Sequence, residues 1–157
     1  KDHLRVVAYG DVDETNAVLG VVRAQATGEL AALLGSIQKQ LFAIGAQLAD
    51  PRHDVAQRRK KAAVGELHVQ SLEAAIDARE RELPPLRSFV LPGGAPTAAL
   101  LQQARTVCRR AERSVVTLAR QAGIDPLIVV YLNRLSDLLF VLARAENRRA
   151  GVGEEIW

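Results

Sequence analysis

The amino-acid sequence predicts an all-α protein that folds as an up-and-down bundle of five helices. Apolar residues recur at helical spacing through most of the 157 residues, whereas strand-like alternation is almost absent. Gly and Pro residues separate the periodic stretches and leave short connections, which suit antiparallel neighbouring helices. The helices also hold more apolar positions than one stripe each requires, so we expect a helical oligomer that buries the remainder.

The first helix is expected to begin near Asp11. Glu14 follows at the spacing of a capping box in which Asp11 is the N-cap. Gly28 separates this helix from a second one over residues 29–49, which ends at Asp50-Pro51 because the residue before a proline disfavours the helical conformation. The apolar stripes of the two helices are Val18, Leu19, Val22 and Ala26, and then Leu33, Ile37, Leu41, Ile44 and Leu48.

The middle of the chain is less regular. Residues 52–61 are polar and basic and predict a loop, and a third helix is expected over residues 64–82, before Pro84-Pro85. The segment 88–94 predicts an extended apolar piece followed by a Pro-Gly-Gly turn, and an apolar connection of this kind usually faces the core or a ligand. The side chains of the third helix that are expected to face inward are Leu67, Ser71, Leu72, Ala75 and Ile76.

Two long helices complete the bundle. Thr97 is expected to cap a fourth helix that continues to Gly123, a residue type that commonly ends helices. Asp125-Pro126 predicts the start of a fifth helix, with aspartate as the cap and proline in the first turn, and this helix runs to about Arg149. Its apolar stripe is Leu132, Leu135, Leu139 and Leu142.

Length, composition and charge exclude several classes of protein. The length suits one domain over residues 1–157, and a net charge of +3 with 4% aromatic residues is unlike a nucleic-acid binder. We see no apolar run long enough to span a membrane and no signal peptide, and therefore expect a cytoplasmic protein. The single cysteine, Cys108, fits a reducing compartment and is expected to be a buried structural thiol. Because the sequence begins at Lys1 without a methionine, we expect a further N-terminal segment.

The most unusual segment is R-T-V-C-R-R-A-E-R, residues 105–113 of the fourth helix. Helical spacing places Arg105, Arg109, Glu112 and Arg113 along one side. Every cation in the segment is arginine, whose planar, permanently charged fork suits phosphate and carboxylate groups. The pattern therefore indicates a site for a polyanion, and a solvated face with intrahelical ion pairs is the alternative that spacing leaves open.

The fifth helix carries a second polar line. Asn133, Asp137 and Arg144 lie near one line of a leucine-rich helix, with Phe140 beside them. Polar groups in such a setting need partners, because burial without a hydrogen bond is costly. The arginine side of the fourth helix could supply these partners, and a buried structural network is equally compatible with the spacing.

Acidic residues and histidines give no clear metal site. The cluster of Asp13 with its acidic neighbours near the start of the first helix is compatible with capping, with pairing to the arginine side, or with a cation bound together with phosphates. His3, His53 and His68 share no metal-ligand spacing, so a di-iron bundle is poorly supported. The sequence also lacks Cys-x-x-Cys, Gly-x-Ser-x-Gly and Walker-type motifs.

Four segments together resemble the PduO-type ATP:cob(I)alamin adenosyltransferases, in family order and over nearly the whole chain. The resemblance implies a ferritin-like five-helix bundle assembled as a homotrimer, with active sites between neighbouring subunits. It also implies that the cobalt(I) of reduced cobalamin attacks the 5′-carbon of ATP and that triphosphate leaves, so that the protein mainly binds, orients and neutralises charge. The segments are G-D-V-D-E-T-N (10–16), F-V-L-P-G-G (89–94), R-T-V-C-R-R-A-E-R (105–113) and Y-L-N-R-L-S-D-L-L-F (131–140).

The resemblance implies roles for particular residues around ATP. Arg109 and Glu112 match positions that hold ATP, and Asn133 matches an asparagine that contacts ATP. Arg113 matches a neighbouring arginine that is structural or contacts the nucleotide. Asp13 matches an acidic residue that pairs with the arginine at position 109 across the subunit interface.

The resemblance also implies roles around the corrin and the phosphates. Phe89 matches an aromatic residue that closes the lower face of the corrin and displaces the lower axial ligand, which leaves a four-coordinate cobalt(II) that is easier to reduce. Arg105 is given a supporting role. Lys1 matches the last lysine of a T-x-x-G-D-x-G segment that wraps the triphosphate and helps to hold magnesium, and this sequence begins at that lysine.

The implied substrates are ATP with magnesium and a reduced corrinoid, and the implied partners are a flavin-type reductase and a downstream adenosylcobalamin-dependent enzyme. One alternative is a non-catalytic trimer that binds a corrinoid and delivers it to another enzyme. Detectable release of triphosphate distinguishes the transferase from the delivery trimer. A second alternative is a helical bundle whose charged lines are structural only, which predicts that nucleotide does not change its stability.

Overall fold

The computed structural model describes residues 3–50, 52 and 64–157, and this part of the chain forms five α-helices and no strand. The predicted all-α fold is therefore confirmed. The loop predicted for residues 52–61 and the predicted role of Lys1 lie, apart from Arg52, outside the described residues. The helices are α1 (Leu4–Gln25), α2 (Gly28–Ala49), α3 (Glu66–Glu80), α4 (Pro96–Ala119) and α5 (Pro126–Arg149).

The helices alternate in direction. α1 packs against α2 and α4, and α5 packs against α3 and α4. Asp11 contacts Ser114 whereas Glu14 contacts Arg110, which shows that α1 and α4 are antiparallel. An ion pair of 3.2 Å between Arg79 and Glu29 places the end of α3 beside the start of α2. Because α1 and α4 are antiparallel, the end of α4 and the start of α5 lie at the same end of the bundle as the start of α1. We name this end the Leu4 end.

The predicted apolar stripes of α2 and α5 form much of the core. Nearly every residue of these stripes is at most 2% exposed, and each buried leucine stabilises the fold by about 1.5–3 kcal/mol. Cys108 is also buried, and its Sγ lies 3.4 Å from the carbonyl oxygen of Leu132. The prediction that this thiol is buried is therefore confirmed, and burial raises its pKa.

Two predicted helix caps are wrong. α1 begins at Leu4 and not near Asp11, and the Nδ1 atom of His3 caps it by accepting a hydrogen bond of 3.2 Å from the amide of Arg5. Asp11 therefore lies inside the helix, where its carboxylate binds groups on α4 and does not cap a first turn. Thr97 likewise lies inside α4, where Ala95 is the N-cap and Pro96 occupies the first turn.

Two further local predictions for α3 and α4 are wrong. Leu67 is 78% exposed, and Ser71 is also exposed, because α3 packs mainly on α5 through another face that carries Val69 and Leu72. α4 ends at Ala119, before Gly123, and Gly123 does not adopt the left-handed conformation that ends many helices.

The length and composition of α5 would also allow it to cross a membrane, which the sequence analysis did not predict. In the bundle, however, 56% of its most apolar window is buried. A core helix of a bundle has the same composition as a membrane span, so the feature is weak evidence for a membrane.

Candidate active site

The arginine side of α4 faces an open pocket on the outside of the bundle, towards the Leu4 end. Arg109, Arg113 and Arg120 line this pocket, which has a volume of about 390 Å³. Glu112 is the one carboxylate that lines it in the part of the chain that the structure describes, so the pocket is electropositive and suits a polyanion. We name it the arginine pocket, and its other lining residues are Val116, Thr117 and Asn133.

A hydrogen bond joins the two helices at the wall of the arginine pocket. The side-chain amide of Asn133 donates to Oε1 of Glu112 over 3.0 Å. The oxygen of the same amide accepts a hydrogen bond of 2.9 Å from Arg134, which also pairs with Asp137 at 3.1 Å. The polar line of α5 therefore does meet α4, as expected for Asn133, and the amide and carboxylate are held in place before any ligand binds.

Adjacent arginines of α4 have different environments. Arg110 pairs with Glu14 and, at 3.6 Å, with Asp11, and the hydrogen bond to Glu14 raises the pKa of Arg110. Arg109 is exposed and forms no ion pair with any other residue that the structure describes. Its charge is therefore available to an external anion.

Arg105 adds a second cation beside Arg109. Its Nε atom donates to Gln102 over 2.8 Å, and its Cζ atom lies 5.9 Å from the centre of the Phe140 ring. Burial and the positive charge of Arg109 lower the pKa of Arg105. An anion that approached both guanidinium groups would relieve this repulsion.

Asp13 lies on a different face of the bundle and does not line the arginine pocket of its own chain. It borders a mainly apolar pocket of about 320 Å³ between α1 and α2, which we name the α1–α2 face. Phe42 on this face is 73% exposed, and Oδ1 of Asn16 is buried without a hydrogen-bond partner among the described residues. The other lining residues are Tyr9, Gly10, Leu41, Gly45 and Ala46.

Phe89 lies at the other end of the bundle, in an extended segment that pairs with the last residues of the sequence. Val90 and Ile156 form an antiparallel bridge, and the carbonyl oxygen of Phe89 accepts a hydrogen bond of 3.0 Å from the amide of Trp157. The side chains of Phe89, Ile156 and Trp157 are 78%, 66% and 83% exposed. Phe89 lies opposite Trp157 in this pairing, and their side chains are on the same side of the two segments, whereas that of Ile156 is on the other side. We name the side chains of Phe89 and Trp157 the apolar patch. Sequence reasoning missed Ile156 and Trp157, whose only signal was their apolar character in a polar tail.

The structure thus brings together Arg109, Glu112, Arg113 and Asn133, but it leaves Phe89 and Asp13 elsewhere in the same chain. Lys1 lies outside the described residues. Within those residues, no group of three or more His, Cys, Asp or Glu side chains is placed to hold a metal ion.

Known proteins resemble this chain in sequence and fold. The cobalamin adenosyltransferase family model matches residues 1–146. A corrinoid adenosyltransferase of Bacillus subtilis is 43% identical over 98% of this chain and 80% of its own length, and one of Mycobacterium leprae is 44% identical over 94% and 80%. A variant PduO-type ATP:corrinoid adenosyltransferase from Lactobacillus reuteri, complexed with cobalamin and ATP, has a TM-score of 0.92 at 35% identity and covers 100% of this chain and 87% of its own. The chain belongs to the cobalamin adenosyltransferase family.

Proposed function

We propose that this protein transfers the 5′-deoxyadenosyl group of ATP to the cobalt(I) of a reduced corrinoid and releases triphosphate. The observation that carries the proposal is the arginine pocket. Arg109 there forms no ion pair with any described residue, and a hydrogen bond already orients Asn133 and Glu112. The names of its relatives support the same activity, as does the neighbouring structure that is complexed with cobalamin and ATP.

The arginine pocket is the proposed ATP site. Arg109 and Arg113 would bind phosphate oxygens, and the Glu112–Asn133 pair would bind hydroxyl or amino groups of the nucleoside. In the reaction, the cobalt(I) electron pair forms the cobalt–carbon bond, and the electrons of the C5′–O5′ bond leave with triphosphate. The arginines would stabilise the negative charge that grows on this leaving group.

The apolar patch is the proposed surface for the lower face of the corrin. The exposed ring of Phe89 can close this face and exclude a lower axial ligand, which leaves a four-coordinate cobalt(II) before reduction. Trp157, which lies opposite Phe89 in the pairing, extends the same apolar surface. An exposed patch of this kind is typical of a binding site.

We further propose a cyclic homotrimer in which two different faces meet. The α1–α2 face offers the carboxylate of Asp13, the unpartnered acceptor of Asn16 and the exposed ring of Phe42. The arginine side of α4 offers the opposite charge, so docking one face on the other would pair Asp13 with Arg109 of the next subunit. Each active site would then lie between two subunits.

The remaining expectations concern small ions and partners. Magnesium is expected to enter with ATP, bound to its phosphates, and we assign it no step. A flavin-type reductase would reduce the corrinoid, and an adenosylcobalamin-dependent enzyme would take the product. The expected location is the cytoplasm, which the single cysteine supports.

An anaerobic spectroscopic assay tests the proposed function. Purified protein is mixed with reduced cobalamin, ATP and magnesium, and the loss of the cobalt(I) absorbance is followed together with the release of triphosphate. We expect turnover with one triphosphate per adenosylated corrinoid. A spectral change on binding without turnover would support the delivery trimer, and no change in either signal would contradict both functions.

A further inference from the structure

Because Phe89, Ile156 and Trp157 are largely exposed, packing beneath their side chains does not determine where they point. Their orientation depends on the backbone of residues 84–95 and 151–157. These two segments share a single bridge and the two hydrogen bonds Leu91–Glu155 and Trp157–Phe89, of 2.8 and 3.0 Å. Such a short pairing of two segments is only marginally stable in water by itself, so other groups must hold the segments together.

Arg144, on the last turns of α5, is one of these groups. It is only 7% exposed, and its guanidinium binds both carboxylate oxygens of Glu154 at 2.8 and 3.2 Å. The same guanidinium donates to the carbonyl oxygen of Pro84 over 3.0 Å. One buried cation therefore joins the helix, the C-terminal segment and the segment that leads to Phe89. The sequence analysis had left open whether its partners lie on α4.

Asn147, one turn further along α5, holds the Pro-Gly-Gly turn. Its side chain accepts a hydrogen bond of 2.9 Å from the amide of Ala95 and donates one of 3.1 Å to the carbonyl oxygen of Gly93. Gly94 between them has a φ of +101°, and a Cβ atom there would lie 2.1 Å from Oδ1 of Asn147. The backbone carbonyl of Asn147 also accepts from Val152 at 2.9 Å.

We propose that Arg144 and Asn147 are positioning residues. They fix residues 84–95 and 151–157 relative to each other, so that the apolar patch fits the lower face of the corrin. This inference rests on the proposed function. Neither residue lies in the patch. Asn147 acts through backbone atoms, and Arg144 acts through the carbonyl of Pro84 and the carboxylate of Glu154. Side chains with two or more directed hydrogen bonds suit such a role, because each one fixes both the distance and the angle of its partner.

The test uses Glu154→Gln, which weakens the anchor at a residue that is 23% exposed and outside the core. The matched control is Arg149→Gln, which breaks the Arg149–Glu146 pair of 2.7 Å on the same helix without touching either segment. Trp157 is the one tryptophan in the sequence, so its fluorescence anisotropy reports the mobility of the C-terminal segment without any assay of activity. Both variants are measured well below their thermal midpoints.

We expect Glu154→Gln to lower the anisotropy of Trp157. The yield of four-coordinate cobalt(II) should fall roughly tenfold, because small displacements of groups that orient a substrate have large kinetic effects. The affinity for ATP should stay within about twofold, since the arginine pocket lies towards the other end of the bundle. Arg149→Gln should leave all three quantities unchanged.

Each of the other possible results would contradict a particular part of the proposal. Unchanged anisotropy in Glu154→Gln would show that Arg144 does not anchor the segment. Lower anisotropy with an unchanged cobalt(II) yield would remove the positioning role, and an equal loss of ATP affinity would make the ion pair a general stabiliser. If the unaltered protein neither binds nor adenosylates the corrinoid, the proposed function fails together with the reaction role, while the anisotropy still decides whether the anchor exists.

Discussion

The arginine pocket and the apolar patch are built in different ways. The pocket is formed by side chains on rigid helices, where residues one turn apart necessarily share a face. The patch is formed by two extended segments that are far apart in sequence and are held by backbone bonds and by Arg144 and Asn147. Helical spacing alone can thus arrange the charged side of α4, whereas the apolar patch needs tertiary anchors. Substitutions in the two regions should therefore have separable effects.

The largest effect is expected for Arg109→Ala. Loss of this guanidinium removes a group that we expect to stabilise the leaving triphosphate, and kcat/KM for ATP should fall by about a hundredfold or more. Steady-state kinetics with reduced cobalamin measure the change. They are run at protein concentrations where ultracentrifugation shows the assembly intact, because Arg109 is also the proposed partner of Asp13. Unchanged kinetics would contradict the assignment of the arginine pocket to ATP.

Phe89→Ala should give the opposite pattern. With the ring removed, water or the corrin's own base can reach the cobalt, so the yield of four-coordinate cobalt(II) should fall severalfold. Binding of ATP, measured by titration calorimetry, should be nearly unaffected. An equal loss of ATP affinity would show that the two regions are not separable and that Phe89 serves a general packing role.

Asp13→Asn tests whether the pocket needs a neighbouring subunit. We expect a weaker trimer by analytical ultracentrifugation and lower turnover, because an opposite charge at the interface is lost. When Asp13→Asn and Arg109→Ala chains are unfolded, mixed equally and refolded, roughly a quarter of the interfaces in a cyclic assembly would join two unaltered faces. Recovered activity would support a shared site, and no recovery would place each site within one chain.

The smallest effect is expected for Arg110→Ala. Arg110 is bound to Glu14 and Asp11 of its own chain, and such exposed pairs contribute up to about 1 kcal/mol. Urea denaturation should show a loss of this size, while KM for ATP stays unchanged. A loss of ATP binding as large as that of Arg109→Ala would contradict the division between these adjacent arginines.

Helical periodicity was sufficient to predict the bundle, the core of α2 and α5, and the grouping of Arg109, Glu112 and Arg113. It failed for Asp11 because a capping box and an interhelical charge contact use the same residue types. It also failed for Arg144 and Trp157. Their partners lie in segments without periodicity, and local patterns carry no information about which distant segments pair.

The side chain of Asn147 fills the place that a Cβ atom on residue 94 would take, and this has a consequence for the evolution of the family. A side chain at position 94 would be strained by the positive φ and would clash with the amide of Asn147, whereas loss of Asn147 would remove the two hydrogen bonds that hold the turn. Replacing either residue alone should therefore be selected against. Relatives that lack the glycine should also lack the asparagine and should close the turn by other bonds. The two positions are therefore expected to covary across the family.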